Sequence, residues 1–316
     1  MNGVSIIICC YNSAPRLEET LRHLANQQIK KDIHCEIIVV DNNSTDNTAV
    51  EAQRIWNSFN NAIPFKVVTE PQPGLSFARK KGVHTAEFEY IIFCDDDNWL
   101  DKNYVQIVYD FFELNGAYAA IGGKIEATFE NGFIVPDWFE EYKEGYAIGQ
   151  QGKDGDVTYR GLIWGAGIGF RKSVYTTIIN DSFPSLLSDR KGNELSSGGD
   201  SEMCLRFIIV GYKLYYTSEL KLKHFLTANR LTIPYRTKLW QGFDEAGKII
   251  SKYYQFIFIT GTGYHKRKAK AVIKYWLSVV GIRKLSATDK NLLYILTNVK
   301  VAGYDPDFKL MRDLKR

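Results

Sequence analysis

Three carboxylates stand in a row at Asp95, Asp96 and Asp97, directly after an apolar run over residues 90–94. Like charges a few ångströms apart repel by about 4 kcal/mol at an effective dielectric of 20. Such a triplet is worth having only where a cation sits among its members. Hard oxygen ligands, with no paired Cys or clustered His nearby, select Mg²⁺ or Mn²⁺ over Zn²⁺. Mg²⁺ is typically held by one or two carboxylates together with substrate phosphates. The triplet therefore reads as a metal–diphosphate site. The alternative is an acidic turn in which Asp97 or Asn98 caps the next helix.

Other groups are spaced for a role beside it. Asp41 ends a second apolar run and can accept the N–H of a uracil ring, or bond the loop amides that follow. Arg79 and Lys80 lie on a helix after "PQPGLS", near a donor or in solvent. In "GGDSE", Gly198 and Gly199 free the backbone for close approach. They precede Asp200 and Glu202, either of which can act as a general base or serve the start of a helix. His224 follows the strand-like "LKLK" and is a candidate metal ligand. Trp138, Tyr146 and Trp164 supply rings for an acceptor wall or for ordinary packing, with Trp164 the preferred acceptor contact.

The elements that carry these groups alternate. "VSIIICCYN" is a continuous apolar run of the kind that forms a fully buried parallel strand. Leu17, Leu21 and Leu24 then recur at helical spacing, with Ser13 as cap and Pro15 in the first turn. Strands follow at "CEIIVVD", "PFKVVTE" and "YIIFCDDD", separated by helices over residues 48–59 and in "SFARKKGVHTA". This is the pattern of an α/β, mostly parallel sheet. Ligands collect at the carboxyl ends of such strands, and here those ends are polar. No GxGxxG or GxxxxGK[ST] loop is present, so a bound diphosphate would be neutralised by metal rather than by a helix N-terminus.

Composition narrows the class. The chain of 316 residues has 45% apolar and 24% charged residues, and is rich in rings, with 19 Tyr, 18 Phe and 6 Trp. Five cysteines without a CxxC read as buried reduced thiols of a cytosolic protein. No signal peptide is expected, and no apolar stretch is long enough for a transmembrane helix. Residues 1–227 carry 22 Lys and Arg against 30 Asp and Glu, whereas residues 228–316 carry 18 against 6. The split suggests an acidic catalytic body and a basic, mainly helical region packed on it that meets an anionic partner.

Seven segments occur in an order that resembles family 2 glycosyltransferases: "SIIICCYN", "EIIVVDNNSTDNT", "PGLSFARKKGVHTA", "YIIFCDDDNWL", "GAGIGFRK", "GGDSEMCLR" and "KLKH". The likeness covers roughly residues 3–227. It implies a GT-A, Rossmann-like fold over residues 1–227, with residues 121–227 on the acceptor side and 228–316 as a helical extension. It also implies inverting transfer of a sugar, from a nucleotide-diphosphate sugar donor such as a UDP-sugar, to a hydroxyl of a saccharide or lipid-linked acceptor. In that reading Asp41 and the backbone of Cys10, Tyr11 and Asn12 hold the base, with Asn43 and Arg79 beside the nucleoside. Asp96 touches the ribose, while Asp97, assisted by Asp95 and His224, holds Mn²⁺ or Mg²⁺. Asp200 is the base and Glu202 supports the loop or the acceptor. Trp164, Gly165 and Trp138 face the acceptor.

Two departures stand out. Cys9-Cys10 replaces the usual Pro-Thr or Pro-Ala, and Gly199 replaces a Glu before the loop Asp. The second leaves Asp200 or Glu202 open as the base, with Asp200 favoured by register. Residues 264–284, basic around an apolar centre, suggest peripheral contact with anionic lipid at the inner face of the cell membrane, or a helix packed on the body. No nucleic-acid motif supports a nucleic-acid partner. A sugar-phosphate nucleotidyltransferase, which would have a Gly-rich Arg-containing loop, and a non-catalytic nucleotide-sugar- or carbohydrate-binding protein remain the alternatives.

Overall fold

The computed structural model describes residues 2–187, 190 and 197–315. Met1 and Arg316, the outer limits of the two regions expected above, lie outside the described residues.

The central sheet begins with four parallel strands, β1 (Val4–Cys10), β2 (Cys35–Asp41), β3 (Phe65–Thr69) and β4 (Tyr90–Asp95). Their order across the sheet is β3-β2-β1-β4. The order of strand addition thus reverses between β1 and β4, and the crevice outside their carboxyl ends is where open α/β sheets bind ligands. Register aligns those ends: Cys10 pairs with Asp41, and Cys9 with Asp95. Apolar side chains fill both faces. Ile7, Ile38, Ile91 and Phe93 point to one side, and Ile6, Ile8, Val39 and Ile92 to the other, all nearly or fully buried. Each contributes about 1.5–3 kcal/mol relative to exposure.

Helices α1 (Leu17–Ala25), α2 (Thr48–Ser58), α3 (Leu75–Thr85) and α4 (Tyr104–Leu114) flank these strands. On α3, a Cβ at Gly82 would lie 2.4 Å from Ile7, so glycine lets this helix sit directly on the sheet. Ser13 does not cap α1, which starts four residues later without a side-chain cap.

The fourth strand stops short of the expected "YIIFCDDD". Asp96 and Asp97 form a turn, after which the chain re-enters the sheet as β5 (Asn98–Leu100). Neither Asp97 nor Asn98 caps α4, whose N-cap is Asn103. The rest of the sheet is mixed. It uses β6 (Tyr118–Phe129), β7 (Gly155–Asp156), β8 (Gly169–Arg171) and β9 (Lys213–Leu226). β6 and β9 run parallel, β8 is antiparallel to β4 and β6, and β5 is antiparallel to β9. β9 is a single strand of 14 residues. "GLIWGAG" is irregular, and its glycines approach side chains closely.

Short helices α5 (Phe139–Tyr142) and α6 (Lys172–Ile178) precede α7 (Gly199–Ile209), which begins at the "GGDSE" loop. The C-terminal region is helical, with α8 (Ile233–Thr260), α9 (Tyr264–Val279), α10 (Ala287–Thr297) and α11 (Asp307–Leu314). Thr232 caps α8 by accepting the Tyr235 N–H, and Ser286 with Asp289 forms a capping box on α10. Met311, Phe308, Leu293 and Tyr253 from this region join the same core as α7.

Candidate active site

A cavity of about 800 Å³ opens at the carboxyl ends of β1 and β4. Its walls include Tyr11, Asn43, Arg79, the Asp95–Asp97 turn, Trp164, Gly165 and Asp200. It therefore gathers the acidic triplet, the helix-start carboxylate and the Gly-rich segment, which lie up to about 105 residues apart in sequence.

Two of the three carboxylates are paired with guanidinium groups. Arg16 meets Asp96 at 2.5 Å and Arg230 meets Asp97 at 2.7 Å. Burial, then the charge of Asp97, pushes the Asp96 carboxyl up against the pull of Arg16. Burial also pushes Asp97 up, but the surrounding positive charge, that of Arg230 foremost, holds that carboxyl well below the usual range. Asp95 accepts a 2.9 Å hydrogen bond from the Asn98 side chain.

His224 reaches this turn through sheet register. It pairs with Asn98 across β5 and β9, and the Phe225 N–H donates to the Asp97 carbonyl. Its Nδ1 lies 3.0 Å from the Tyr146 carbonyl, which can only accept. Nδ1 therefore carries the proton and Nε2 keeps a lone pair. That lone pair lies 3.6 Å from Asp97 Oδ1, a buried oxygen without a hydrogen-bond partner. The two donor atoms fit a divalent ion, and the histidine is oriented by a backbone carbonyl as metal-binding histidines are. Among the described residues no group of three His, Cys, Asp or Glu side chains comes together for an ion. Such an ion would need the remaining oxygens from a bound diphosphate.

Asp200 sits in the first turn of α7. Its Oδ2 accepts the Gly165 N–H at 2.8 Å, and its Oδ1 accepts the Ser201 N–H at 2.9 Å. A Cβ at Gly165 would fall 2.9 Å from the Arg79 guanidinium and 3.3 Å from the Asp200 carboxylate, so only glycine leaves both in place. Arg79 also lies over the Phe93 ring, 5.0 Å from its centre.

Glu202 does not share the cavity. It is fully buried, ion-paired to the equally buried Arg206 at 2.8 Å, and accepts from Tyr253, Ser185, Leu186 and Leu187. With every lone pair engaged away from the cavity it cannot serve as base or touch an acceptor, and its role is to brace the loop before α7. Trp138 is likewise outside the cavity, stacked under Arg236 and packed on Phe139 and Tyr142. Asp41 and Asn12 stand behind the lining. Asp41 accepts the Ser44 N–H, while Asn12, at φ 51°, accepts the Thr45 N–H. Their neighbour Asn42 lines the cavity, and its side chain ties Glu70, Gln72 and Gly74 together. Cys10 lines the cavity beside Cys9, whose thiol burial pushes up to about 12.

Sequence reasoning missed Arg16, Arg230, Asn42 and a set of rings from α8. Tyr235, Leu239, Trp240 and Phe243 line the same cavity together with Trp164 and with Tyr146, whose ring packs against Tyr235 and Trp240. Gly145 lets Trp240 lie on its backbone, where a Cβ would be 2.3 Å from the ring. The signal for Arg230 was a lone arginine shortly after a strand that carries a candidate ligand. The rings gave none, because they lie beyond the segments that carried the resemblance.

A doubly wound parallel half-sheet with an acidic turn at its switch point, extended by a mixed half, is the GT-A architecture. The chain belongs to glycosyl transferase family 2, whose model matches residues 5–178. It is 32% identical over 107 residues to a cholesterol galactosyltransferase of Borreliella burgdorferi, an alignment covering 34% of this chain and 28% of the relative. It is 26% identical over 122 residues to the poly(ribitol-phosphate) β-N-acetylglucosaminyltransferase TarP of Staphylococcus aureus, covering 39% and 36%. The alignments thus span about a third of those relatives' own lengths. The structure of S. aureus TarS 1–349 in complex with UDP-GlcNAc superposes with a TM-score of 0.56 at 17% identity, over 99% of this chain and 90% of that one. GT-A glycosyltransferases commonly use a divalent metal.

Proposed function

We propose that this chain transfers a sugar, with inversion, from a UDP-sugar to a hydroxyl of a saccharide or lipid-linked acceptor. One juxtaposition carries the reading: the Asp200 carboxylate and the Asp95–Asp97 turn line a single cavity with room for a donor and an acceptor. The names of the relatives, which act on a sterol and on a polyol phosphate, support a hydroxyl acceptor. The complex of TarS with UDP-GlcNAc supports a UDP-sugar.

In the reaction the acceptor oxygen attacks C1 of the sugar as the C1–O bond to the diphosphate breaks, and that bonding pair leaves with the diphosphate oxygen. The acceptor proton passes to Asp200, which general-base catalysis rewards with about 10²–10⁴ in rate. Asp97 and His224 would hold Mn²⁺ or Mg²⁺, assisted by Asp95. The ion supplies positive charge to the leaving diphosphate. Arg79 borders the donor beside Asp200, and Asn43 and the backbone after β1 face the base. Tyr146, Trp164, Tyr235 and Trp240 offer flat faces to the acceptor.

The test is UDP release from a panel of UDP-sugars, with Mn²⁺ or with EDTA, and proton NMR of the anomeric product. Release with at least one donor, dependent on the metal and sensitive to Asp97→Ala, is the expected result. A chain that neither binds nor turns over any UDP-sugar overturns the assignment.

A second observation favours a lipid surface as partner. Among the described residues no helix is long and apolar enough to cross a membrane. Yet α9 buries only Ala271, while Ile273, Trp276 and Val280 are 59–63% exposed, with Ile282 and Phe258 nearby at 71%. Lys266, Lys268, Lys270 and Lys284 flank this stripe. Apolar side chains with a Trp and a basic border suit the interface of an anionic bilayer. Co-flotation with phosphatidylglycerol vesicles at low salt is expected for the native chain and lost in Ile273→Glu/Trp276→Glu. No flotation at low salt refutes this contact.

A further inference from the structure

The Arg230 guanidinium stands between the two candidate ligands, Asp97 and His224. Its Nη1 lies 2.7 Å from Asp97 Oδ2 and 3.3 Å from His224 Nε2, thus touching both candidate ligands at once. The side chains of Asp97 and Arg230 are 3% and 21% exposed, so little water screens the pair. Arg230 hangs from a short 3-10 turn, Ala228–Arg230, immediately after β9. Its carbonyl is held by the Tyr146 hydroxyl at 3.2 Å, fixing the backbone while the side chain extends into the cavity.

We propose that Arg230 is a tethered counter-ion that competes with the divalent cation for Asp97 and His224, and that makes cation binding depend on the donor. The inference rests on the nucleotide-sugar reading above. Without a nucleotide, Asp97 must give up a close, shielded guanidinium to accept an ion, and Arg230 is left with no equal partner. Arg190 and Arg16 already crowd the same carboxylates with positive charge. With a diphosphate in the cavity, Arg230 exchanges one anion for another, and Asp97 and His224 become available at little cost. Cation and nucleotide then help each other to bind, and by linkage the help is equal in both directions. The arrangement also offsets the charge of Asp97 between turnovers, when three adjacent carboxylates would otherwise repel.

The experiment measures Mn²⁺ affinity by electron paramagnetic resonance, with and without saturating UDP, and UDP affinity by calorimetry. In the native chain, UDP is expected to tighten Mn²⁺ binding by about fivefold or more, the lower end of typical coupling. In Arg230→Met, Mn²⁺ alone binds more tightly by a similar factor, and the UDP effect shrinks accordingly. Arg230→Lys, which keeps a cation on the same tether and guards against a folding defect, retains most of the coupling. Asp97→Ala removes Mn²⁺ binding with either. The inference is overturned if Arg230→Met leaves nucleotide-free Mn²⁺ affinity unchanged while Asp97→Ala abolishes it. If instead native protein binds no UDP and its Mn²⁺ affinity ignores Asp97, the nucleotide-sugar reading itself has failed and takes the inference with it.

Discussion

Asp200→Asn is expected to lower the rate of sugar transfer by about 10²–10⁴, the usual worth of a positioned general base, while UDP binding changes little. The amide matches the carboxylate in size and keeps one oxygen for either the Gly165 or the Ser201 N–H. It cannot accept a proton from the acceptor hydroxyl. In the proposed reading the donor's base and diphosphate meet the ends of β1, β2 and β4, on other elements, which leaves binding unaffected by the change. Single-turnover UDP release gives the chemical rate, and calorimetry with UDP gives the affinity. Normal turnover by this variant rules out Asp200 as the base. Since Glu202 is fully buried, no second carboxylate of the "GGDSE" loop stands ready to replace it.

Arg206→Met is expected to cost about 3–5 kcal/mol of stability, the penalty for stranding a buried partner charge. Arg206 donates to Glu202, to Tyr253 and to the carbonyls of Ile178, Phe183 and Pro184. Glu202 collects five donors in return. Burial, followed by the charge of Glu202, pushes the Tyr253 hydroxyl far above its ordinary range, which keeps it a donor. Removing the guanidinium leaves Glu202 ionised in a dry site and frees three carbonyls. Pairing the change with Glu202→Gln should recover part of the loss, the mark of a direct interaction in a double-mutant cycle. Urea unfolding measures both. A single variant within about 1 kcal/mol of the native chain, at the edge of ordinary surface effects, would show that the network is not a stability element.

The parallel half of the sheet was legible because its strands are buried on both faces and so read as unbroken apolar runs. Helix α2 was legible almost to the residue, as was α3, because polar loops bracket both. The turn at Asp96 and Asp97 was not, since its cause is pairing of β5 with β9 more than a hundred residues later. The site divides the same way. Asp95, Asp97, Asp200 and His224, which the fold gathers in one cavity, could be singled out because of their residue types and their positions at strand or helix ends. Glu202 stayed open between base and loop support because, in sequence, a carboxylate two residues past a candidate base looks like another, and only packing shows its side chain turned inward toward Arg206. Trp138 and Trp164 were indistinguishable by type, and the fold puts one in the cavity and the other against Arg236. The cationic partners were invisible because an arginine's reach, unlike a strand's periodicity, leaves no trace in neighbouring residues.

The placement of Tyr235, Leu239, Trp240 and Phe243 has a consequence for how such a catalyst can diversify. In the proposed reading the nucleotide meets residues from the first hundred of the chain, whereas Tyr235, Leu239, Trp240 and Phe243 come from a helix that begins after the last strand. Selection can therefore rewrite what is glycosylated by altering α8 alone, leaving the leaving-group chemistry intact. Exchanging that helix between homologues should redirect acceptor choice without retuning donor choice.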